Sequence, residues 1–159
     1  MRRPWNITNV AVYSLVTYSS SFKFNMNICT YVSLVNMSPK TYVIAIDYNT
    51  LTYQNLIQQC QNVVLQILSK ENINIVRHLG KKTGFKFKKN EYLKKNQLIE
   101  NWNNHVILKN TSAVLELKNS KKIYEFDDHA LFCFEIKKSK SWSYNTLHFN
   151  DLIHQKIIL

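Results

Sequence analysis

Three polar clusters interrupt the apolar pattern of this chain, and each offers groups that could bind an anion. They are the stretch NMNICTYVSLVNMSPK at residues 25–40, DYNTLTYQN at 47–55, and GKKTG at 80–84. Hydroxyls and backbone N–H groups at a helix start attract phosphate, and glycines beside basic residues expose their amides in the same way. Each cluster also has a simpler explanation, namely small residues in a sheet, capping of a helix by Thr50 or Thr52, and a helix-exit turn at Thr83 and Gly84.

The remaining reactive residue types show no spacing typical of a metal site or a nucleophile. Cys29, Cys60 and Cys133 are far apart and odd in number, which predicts buried free thiols in a reducing cytosol. The five histidines lack HxxxH spacing, and no GxSxG sequence occurs. Asp128 and His129 could form an acid–base pair, or Asp128 could bond backbone amides in a structural turn.

Composition indicates a globular protein in which residues 1–159 form one domain. Hydrophobic residues make up 45% of the chain and aromatic residues 13%. No run approaches the roughly 18 apolar residues of a membrane helix, and no signal-peptide core follows the basic start MRRPWNITNV. The sequence therefore predicts a cytoplasmic protein with no membrane partner.

The formal charge of +11 raises the possibility of nucleic-acid binding. However, 18 of the 21 basic residues are lysines, and asparagine and isoleucine are also abundant. This combination is typical of an AT-rich coding bias, which is unrelated to ligand. A basic nucleic-acid-binding β-barrel is therefore the weakest of the functional alternatives.

The polar clusters must be positioned by a mainly β framework. Period-2 patterns predict strands over 10–18, 27–35, 41–46, 63–69, 105–110, 112–119, 121–126 and 129–140, with 41–46 in a central position. Helical spacing predicts short helices within 47–60 and over 73–79, the second ending at Gly80, and a short helix or extended tail at 147–159. A turn is expected at 19–24 and a loop or weak helix at 86–102. These strands, with two or three short helices, indicate a small β-barrel with helical additions.

The only two glycines, Gly80 and Gly84, stand close together. Glycine is the residue that tolerates a backbone conformation or a close approach that others do not. We therefore expect a special backbone requirement between residues 80 and 84.

The order of these features resembles the flavin reductase-like, FMN-binding split-barrel family. The resemblance rests on VYSLVTY, NMNICTYVSLVNMSPKTYVIAI, TLTYQNL, VLQILS, LGKKTG and DDHALFCFEI, which occur in the family's order from about residue 4 to residue 158. It implies a split β-barrel that forms a homodimer, with FMN bound near the subunit interface.

The resemblance also implies a set of cofactor contacts. Asn27, Cys29, Thr30, Tyr31 and Ser33 would lie along the isoalloxazine and ribityl chain. Thr50 and Thr52 would hold the phosphate, and Lys82, Thr83 and Gly84 would approach from the following loop. His129 would lie near the nicotinamide or substrate side. Two departures occur: the loop TGFKFKKNEY is basic at 86–89, where relatives carry an acid before a lysine, and HQKII carries Gln155 and Lys156 where relatives often have an arginine.

The leading functional prediction is an oxidoreductase that passes hydride from NAD(P)H to flavin and then to an unidentified electron acceptor. Such a site needs no catalytic side chain, because the flavin performs the hydride chemistry. The alternative is an FMN-binding electron carrier or flavin-holding module without reductase activity. The sequence has no dinucleotide-binding glycine fingerprint, and so does not indicate NADH or NADPH.

Overall fold

The computed structural model describes residues 3–58 and 61–158. Its nine strands are β1 (Tyr13–Tyr18), β2 (Phe24–Met26), β3 (Val32–Met37), β4 (Lys40–Asp47), β5 (Val63–Ile67), β6 (Ile99–Trp102), β7 (His105–Leu108), β8 (Ala113–Glu125) and β9 (His129–Ser141). Its α-helices are α1 (Leu51–Ile57), α2 (Val76–Gly80), α3 (Lys89–Lys95) and α4 (Phe149–His154). Short 3-10 turns occupy Pro4–Asn6 and Lys70–Ile75.

Seven strands form one antiparallel sheet in the order β2-β1-β5-β8-β9-β4-β3. Strands β2 and β3 are consecutive in the chain but lie at opposite edges of this sheet, so residues 27–31 must cross between the edges. Cys29 exchanges two backbone hydrogen bonds of 2.9 Å with Tyr13 in β1, and the Ala45 N–H in β4 donates to the Tyr31 carbonyl at 3.0 Å. This closing segment, residues 27–31, therefore closes the sheet into a split barrel through one isolated bridge to β1 and a backbone hydrogen bond to β4. The predicted mainly β fold with short helices is confirmed.

Alternating side chains of the sheet strands divide the core between two sides. Leu15 and Leu65 belong to a cluster with Ile44, Phe132 and Phe134, which fills one face of the sheet. Their chain neighbours on β1 and β5 point the opposite way, into a second cluster built with α2, α3, α4 and the hairpin of β6 and β7. Period-2 alternation buries both faces of β1 and β5, because helices cover the side that would otherwise face water.

The structure differs from the predicted elements where a strand bends without ending. The predicted strands at 112–119 and 121–126 are one strand, β8, with a register shift between Lys118 and Lys121. Asn119 lies in this shift with φ of 55°, a left-handed conformation that asparagine tolerates. A bulge therefore re-aims the strand where its sequence pattern breaks.

Several other boundaries also differ from the prediction. Residues 27–35 split between the closing segment and β3, Phe24 begins β2 inside the predicted turn, and 86–102 holds both α3 and β6. Strand β4 lies next to the edge strand β3 and is not central. Cys133 is half-buried, Cys29 is buried as predicted, and Cys60 lies outside the described residues.

None of the helices in the described ranges has the length and apolar character that crossing a membrane requires.

Candidate functional site

A cavity of about 440 Å³ opens where the closing segment meets α1 and the loop after α2. Its volume falls within the range of small-molecule sites in proteins, roughly 300–1,000 Å³. Nine of the ten residues that the sequence predicts as cofactor contacts line it: Asn27, Cys29, Thr30, Tyr31, Thr50, Thr52, Lys82, Thr83 and Gly84. The tenth, Ser33, lies on exposed strand β3 outside the lining, where its hydroxyl donates to the Leu34 carbonyl at 3.5 Å.

The closing segment presents polar groups to this cavity because only some of its backbone groups form hydrogen bonds with neighbouring strands. The Asn27 side-chain oxygen accepts from the Leu15 N–H at 2.8 Å, which ties the segment to β1. Burial raises the pKa of the Cys29 thiol to about 12, so Cys29 is a neutral, packed group and not a nucleophile. Thr30 is half-buried and Tyr31 is exposed, so both remain accessible from the cavity side.

The start of α1 forms a second wall. Thr50 caps this helix, since its hydroxyl oxygen accepts from the Tyr53 N–H at 3.1 Å and its O–H donates to the Asp47 carbonyl at 2.7 Å. The Asp47 carboxylate accepts in turn from the Asn49 N–H at 2.7 Å. Capping therefore accounts for Thr50 in the local structure and also holds its side chain at the cavity edge.

Thr52 is fully buried, and its partner Asn25 was not predicted from the sequence. The Asn25 side-chain N–H donates to the Thr52 hydroxyl at 3.2 Å, which pins α1 against β2. The other atom of that amide, Asn25 Oδ1, is buried and has no hydrogen-bond partner among the residues that the structure describes. A buried acceptor without a partner costs stability, roughly 1–3 kcal/mol, and Asn25 lines the cavity, so this oxygen fits a ligand that brings a donor.

An added Cβ atom would meet close neighbours at both glycines, more severely at Gly84 than at Gly80. Neither has a positive φ. A Cβ atom on Gly84 would lie 2.8 Å from Asn25 Oδ1 and 3.0 Å from the Leu51 Cβ, and one on Gly80 would lie 3.3 Å from the Ile28 Cβ. The expected special requirement at 80–84 is therefore a close approach to the cavity walls and not an unusual backbone conformation.

Lys89 also lines the cavity, a position that the sequence does not predict. Its ammonium donates to the Leu79 carbonyl at 2.6 Å, capping the C-terminus of α2, and the side chain is buried at the cavity wall. Burial lowers the pKa of Lys89 to about 8, because the charged form loses its hydration. The only signal in the sequence was the basic run at 86–89, which gives no indication that one of its lysines points inward.

The charge of the lining favours an anionic ligand. Three lysines, Lys81, Lys82 and Lys89, face the cavity together with one carboxylate, Asp47. Lys82 is also fixed over the Phe87 ring, 4.4 Å from its centroid, an arrangement worth roughly 0.5–2 kcal/mol. Lys81 and Lys82 are exposed, and Lys89 is the buried lysine of the three.

His129 also lines the cavity, where it pairs with Asp47 across the β4–β9 ladder, and its side chain forms the predicted pair with Asp128. Its Nδ1 is 2.6 Å from Asp128 Oδ1, so an ionised Asp128 fixes the proton on Nδ1 and leaves Nε2 as the acceptor of the neutral ring. Its ring also lies 5.6 Å from that of Tyr31, centroid to centroid. The geometry therefore favours the paired arrangement over the turn in which Asp128 bonds backbone amides.

No group of three or more metal-ligating side chains occurs within 3–58 and 61–158. The polar groups that line the cavity are mainly amides, hydroxyls and ammonium groups, with Asp47 as the carboxylate among the described residues.

Sequence comparison decides the family. The model of the flavin reductase-like domain matches residues 8–151, which is most of the chain. This chain belongs to the flavin reductase-like family. No curated protein is similar enough in sequence to count as a match.

Solved structures of flavin reductase-like proteins share the fold. Flavoredoxin from Methanosarcina acetivorans has a TM-score of 0.73 at 16% identity, covering 89% of this chain and 75% of its own. An NADH:FAD oxidoreductase from Streptomyces globisporus has a TM-score of 0.72 at 15% identity, covering 89% and 80%. An FMN-binding protein from Thermus thermophilus with bound 1-cyclohex-2-enone has a TM-score of 0.70 at 16% identity, covering 90% and 75%. At these identities the likeness establishes the fold alone.

Proposed function

We propose that residues 1–159 form one flavin-binding domain that holds FMN in the 440 Å³ cavity and transfers hydride from NAD(P)H to that flavin. One observation carries this: nine residues that the family resemblance assigns to FMN converge on a single cavity with three lysines and one carboxylate. The similar structures include an FMN-binding protein and an NADH:FAD oxidoreductase, the latter also solved in complex with NAD and FAD fragments. The buried Cys29 thiol fits a reducing, cytoplasmic setting.

The lining fits a flavin mononucleotide in three respects. The closing segment supplies backbone groups and a narrow wall for a flat ring, and Asn25 Oδ1 supplies an acceptor that lacks a donor. Gly80 and Gly84 leave the space that a Cβ would fill. Lys81, Lys82, Thr50 and Thr52 all line the cavity, and we assign the phosphate dianion to these cationic and hydroxyl groups.

The protein residues orient and shield, and a bound flavin would supply the hydride-accepting atom. Lys89 offers a buried positive charge to the anionic parts of the ligand, which is the electrostatic contribution expected of such a site. His129, held by Asp128, also lines the cavity, and we assign it to the side where a reductant or acceptor would approach. Tyr31, which is exposed beside His129, covers the same side.

Homodimer formation is part of the proposal. All residues of edge strand β3 after Val32 are exposed, and they include Leu34, Val35 and Met37, the last at 67%. An exposed apolar edge strand is a pairing or association surface. Because Thr30 and Tyr31 directly precede β3, a second copy seated there would adjoin the flavin cavity.

Met37→Lys should convert the dimer to monomer at micromolar concentration. A charge buried in an apolar contact costs about 2 kcal/mol or more, a change of roughly 30-fold in the dimer dissociation constant. Sedimentation velocity measures this. Phe22→Lys is the matched control, because Phe22 is 81% exposed in the β1–β2 turn, away from β3. A wild-type monomer that still holds FMN tightly would contradict the interfacial location.

Thr52→Val should weaken FMN more than riboflavin, because only FMN carries the phosphate. It should also lower the free energy of unfolding by roughly 1–3 kcal/mol, because the Asn25 amide loses its buried acceptor. Flavin fluorescence titrations and thermal melts measure the two effects, and Thr52→Ser, which keeps the hydroxyl, is the control. An equal loss for both flavins would remove Thr52 from the phosphate side.

The absorbance spectrum of untreated protein tests the proposal most directly. Bound oxidised flavin gives an absorbance band at about 450 nm, and anaerobic addition of NADH or NADPH should bleach this band. Retained colour without bleaching favours the flavin-holding module. Protein without colour that binds no added FMN, and that instead binds DNA or RNA in a salt-sensitive manner, would overturn the flavin assignment.

A further inference from the structure

A second cavity, of about 250 Å³, lies directly beside the flavin cavity. Thr30 and Tyr31 line both, so the two spaces share one wall. The rest of the second cavity is formed by the N-terminal segment, including Arg3 and Trp5, and by Phe149 at the start of α4. A ligand that spans the shared wall would therefore reach both spaces.

Backbone hydrogen bonds attach the N-terminal segment to the fold. The Phe149 N–H donates to the Val10 carbonyl at 2.9 Å, and the Asn150 N–H donates to the Asn9 side-chain oxygen at 2.9 Å. Farther along, the Asn6 N–H donates to the Arg3 carbonyl at 2.9 Å and closes the turn that carries Trp5. This turn keeps the indole at the cavity although 69% of it is exposed.

The lining suits a planar aromatic group that bears negative charge. The Arg3 guanidinium carbon lies 6.0 Å from the centre of the Trp5 ring, and the described residues that line this cavity include no carboxylate. An exposed indole is a stacking surface for a nucleobase. Guanidinium is the side chain best matched to phosphate, because its N–H groups form a planar fork.

We propose that this cavity binds the adenosine and phosphate portion of the pyridine nucleotide, with the base on Trp5 and a phosphate on Arg3. The inference rests on the proposed function, since it supplies the far end of the hydride donor. The nicotinamide must enter the flavin cavity, and the remainder of the dinucleotide needs its own site. The sequence has no dinucleotide-binding glycine fingerprint, and the second cavity is adjacent to the first.

Reduced nicotinamide mononucleotide separates the two ends of the donor, because it has no adenosine half. With flavin-loaded protein, Trp5→Ala and Arg3→Ala should each raise KM for NADH or NADPH roughly tenfold, the loss expected for one stacked base or one charged contact. The KM for reduced nicotinamide mononucleotide should not change. Trp5→Phe should restore most of the NADH or NADPH affinity, and Phe22→Ala, an exposed aromatic residue elsewhere, should alter neither KM.

Binding of ADP-ribose, measured by equilibrium dialysis, tests the same site without turnover. Wild-type protein should bind it, and Trp5→Ala should weaken binding roughly tenfold. Flavin-loaded protein that binds ADP-ribose equally well after Trp5→Ala, or variants that lose both hydride donors equally, would overturn this inference and leave the proposed function standing. Protein that binds ADP-ribose through Trp5 but never holds flavin would overturn the proposed function instead.

Discussion

Lys89→Met should weaken FMN binding by roughly 30-fold or more near neutral pH. Lys89 is buried at the cavity wall, and its pKa of about 8 leaves it mostly protonated there. Removing one partner of a buried charge interaction costs at least about 2 kcal/mol, and every 1.4 kcal/mol is tenfold in affinity. Methionine keeps the length and apolar stem of the side chain and removes the ammonium.

The pH dependence of binding provides an independent check. An anion binds best while Lys89 is protonated, so the FMN dissociation constant of the wild type should rise as pH increases above about 8. Lys89→Met should show no such rise over the same range. Lys88→Met is the control, since Lys88 is the exposed neighbour whose ammonium lies 3.5 Å from Glu91. A wild type and a Lys89→Met variant with identical affinities at every pH would remove Lys89 from the site.

The stability of the flavin-free protein should change with pH in the opposite direction. The pKa of Lys89 is about 8 in the folded protein against 10.5 for an ordinary lysine. Between these values the unfolded chain binds more protons than the folded one, so the free energy of unfolding rises with pH in that window, by at most about 3 kcal/mol. The difference between the wild type and Lys89→Met in urea unfolding isolates this contribution from the other lysines. It should be constant below pH 8.

The closing segment shows why the sequence could indicate the site but not its full wall. Four of the expected contacts lie within residues 27–31: Asn27, Cys29, Thr30 and Tyr31. One stretch of the sequence that resembles the family therefore includes all four. Asn25 and Thr52 are also short polar residues, but their contact joins positions 27 residues apart. That three-dimensional contact also leaves Asn25 Oδ1 without a partner among the described residues, and no local sequence pattern indicates this.

The sequence also misplaces two single residues. Lys89 lines the cavity although it was not predicted to, and Ser33 was predicted as a contact but lies outside the lining. Lys89 belongs to a basic stretch, and lysines are ordinarily exposed. Its ammonium points inward because it can donate to the Leu79 carbonyl at the end of α2. Ser33 belongs to the alternating stretch that the sequence places along the cofactor, yet the chain has already left the cavity and entered edge strand β3. The strand pattern of β8 misleads similarly, since the bulge at Asn119 interrupts the alternation without ending the strand.

Gly84→Ala should reduce FMN affinity at least tenfold and lower the free energy of unfolding by roughly 1–3 kcal/mol. The added methyl carbon would lie 2.8 Å from Asn25 Oδ1 and 3.0 Å from both the Cβ and the Cδ2 of Leu51. Asn25 has little room to retreat, because its amide is buried and bonded to Thr52. Either the loop at 80–84 or the Asn25 side chain must therefore move, and both line the cavity.

Gly80→Ala is the matched comparison, since Gly80 lines the same cavity and also lacks a positive φ. Its methyl carbon would lie 3.3 Å from the Cβ of Ile28, a distance that a shift of a few tenths of an ångström relieves. We therefore expect thermal melts and flavin titrations to show a smaller loss for Gly80→Ala than for Gly84→Ala. The reverse order, or an unchanged flavin affinity in Gly84→Ala, would mean that the contact between Gly84 and Asn25 does not shape the flavin site.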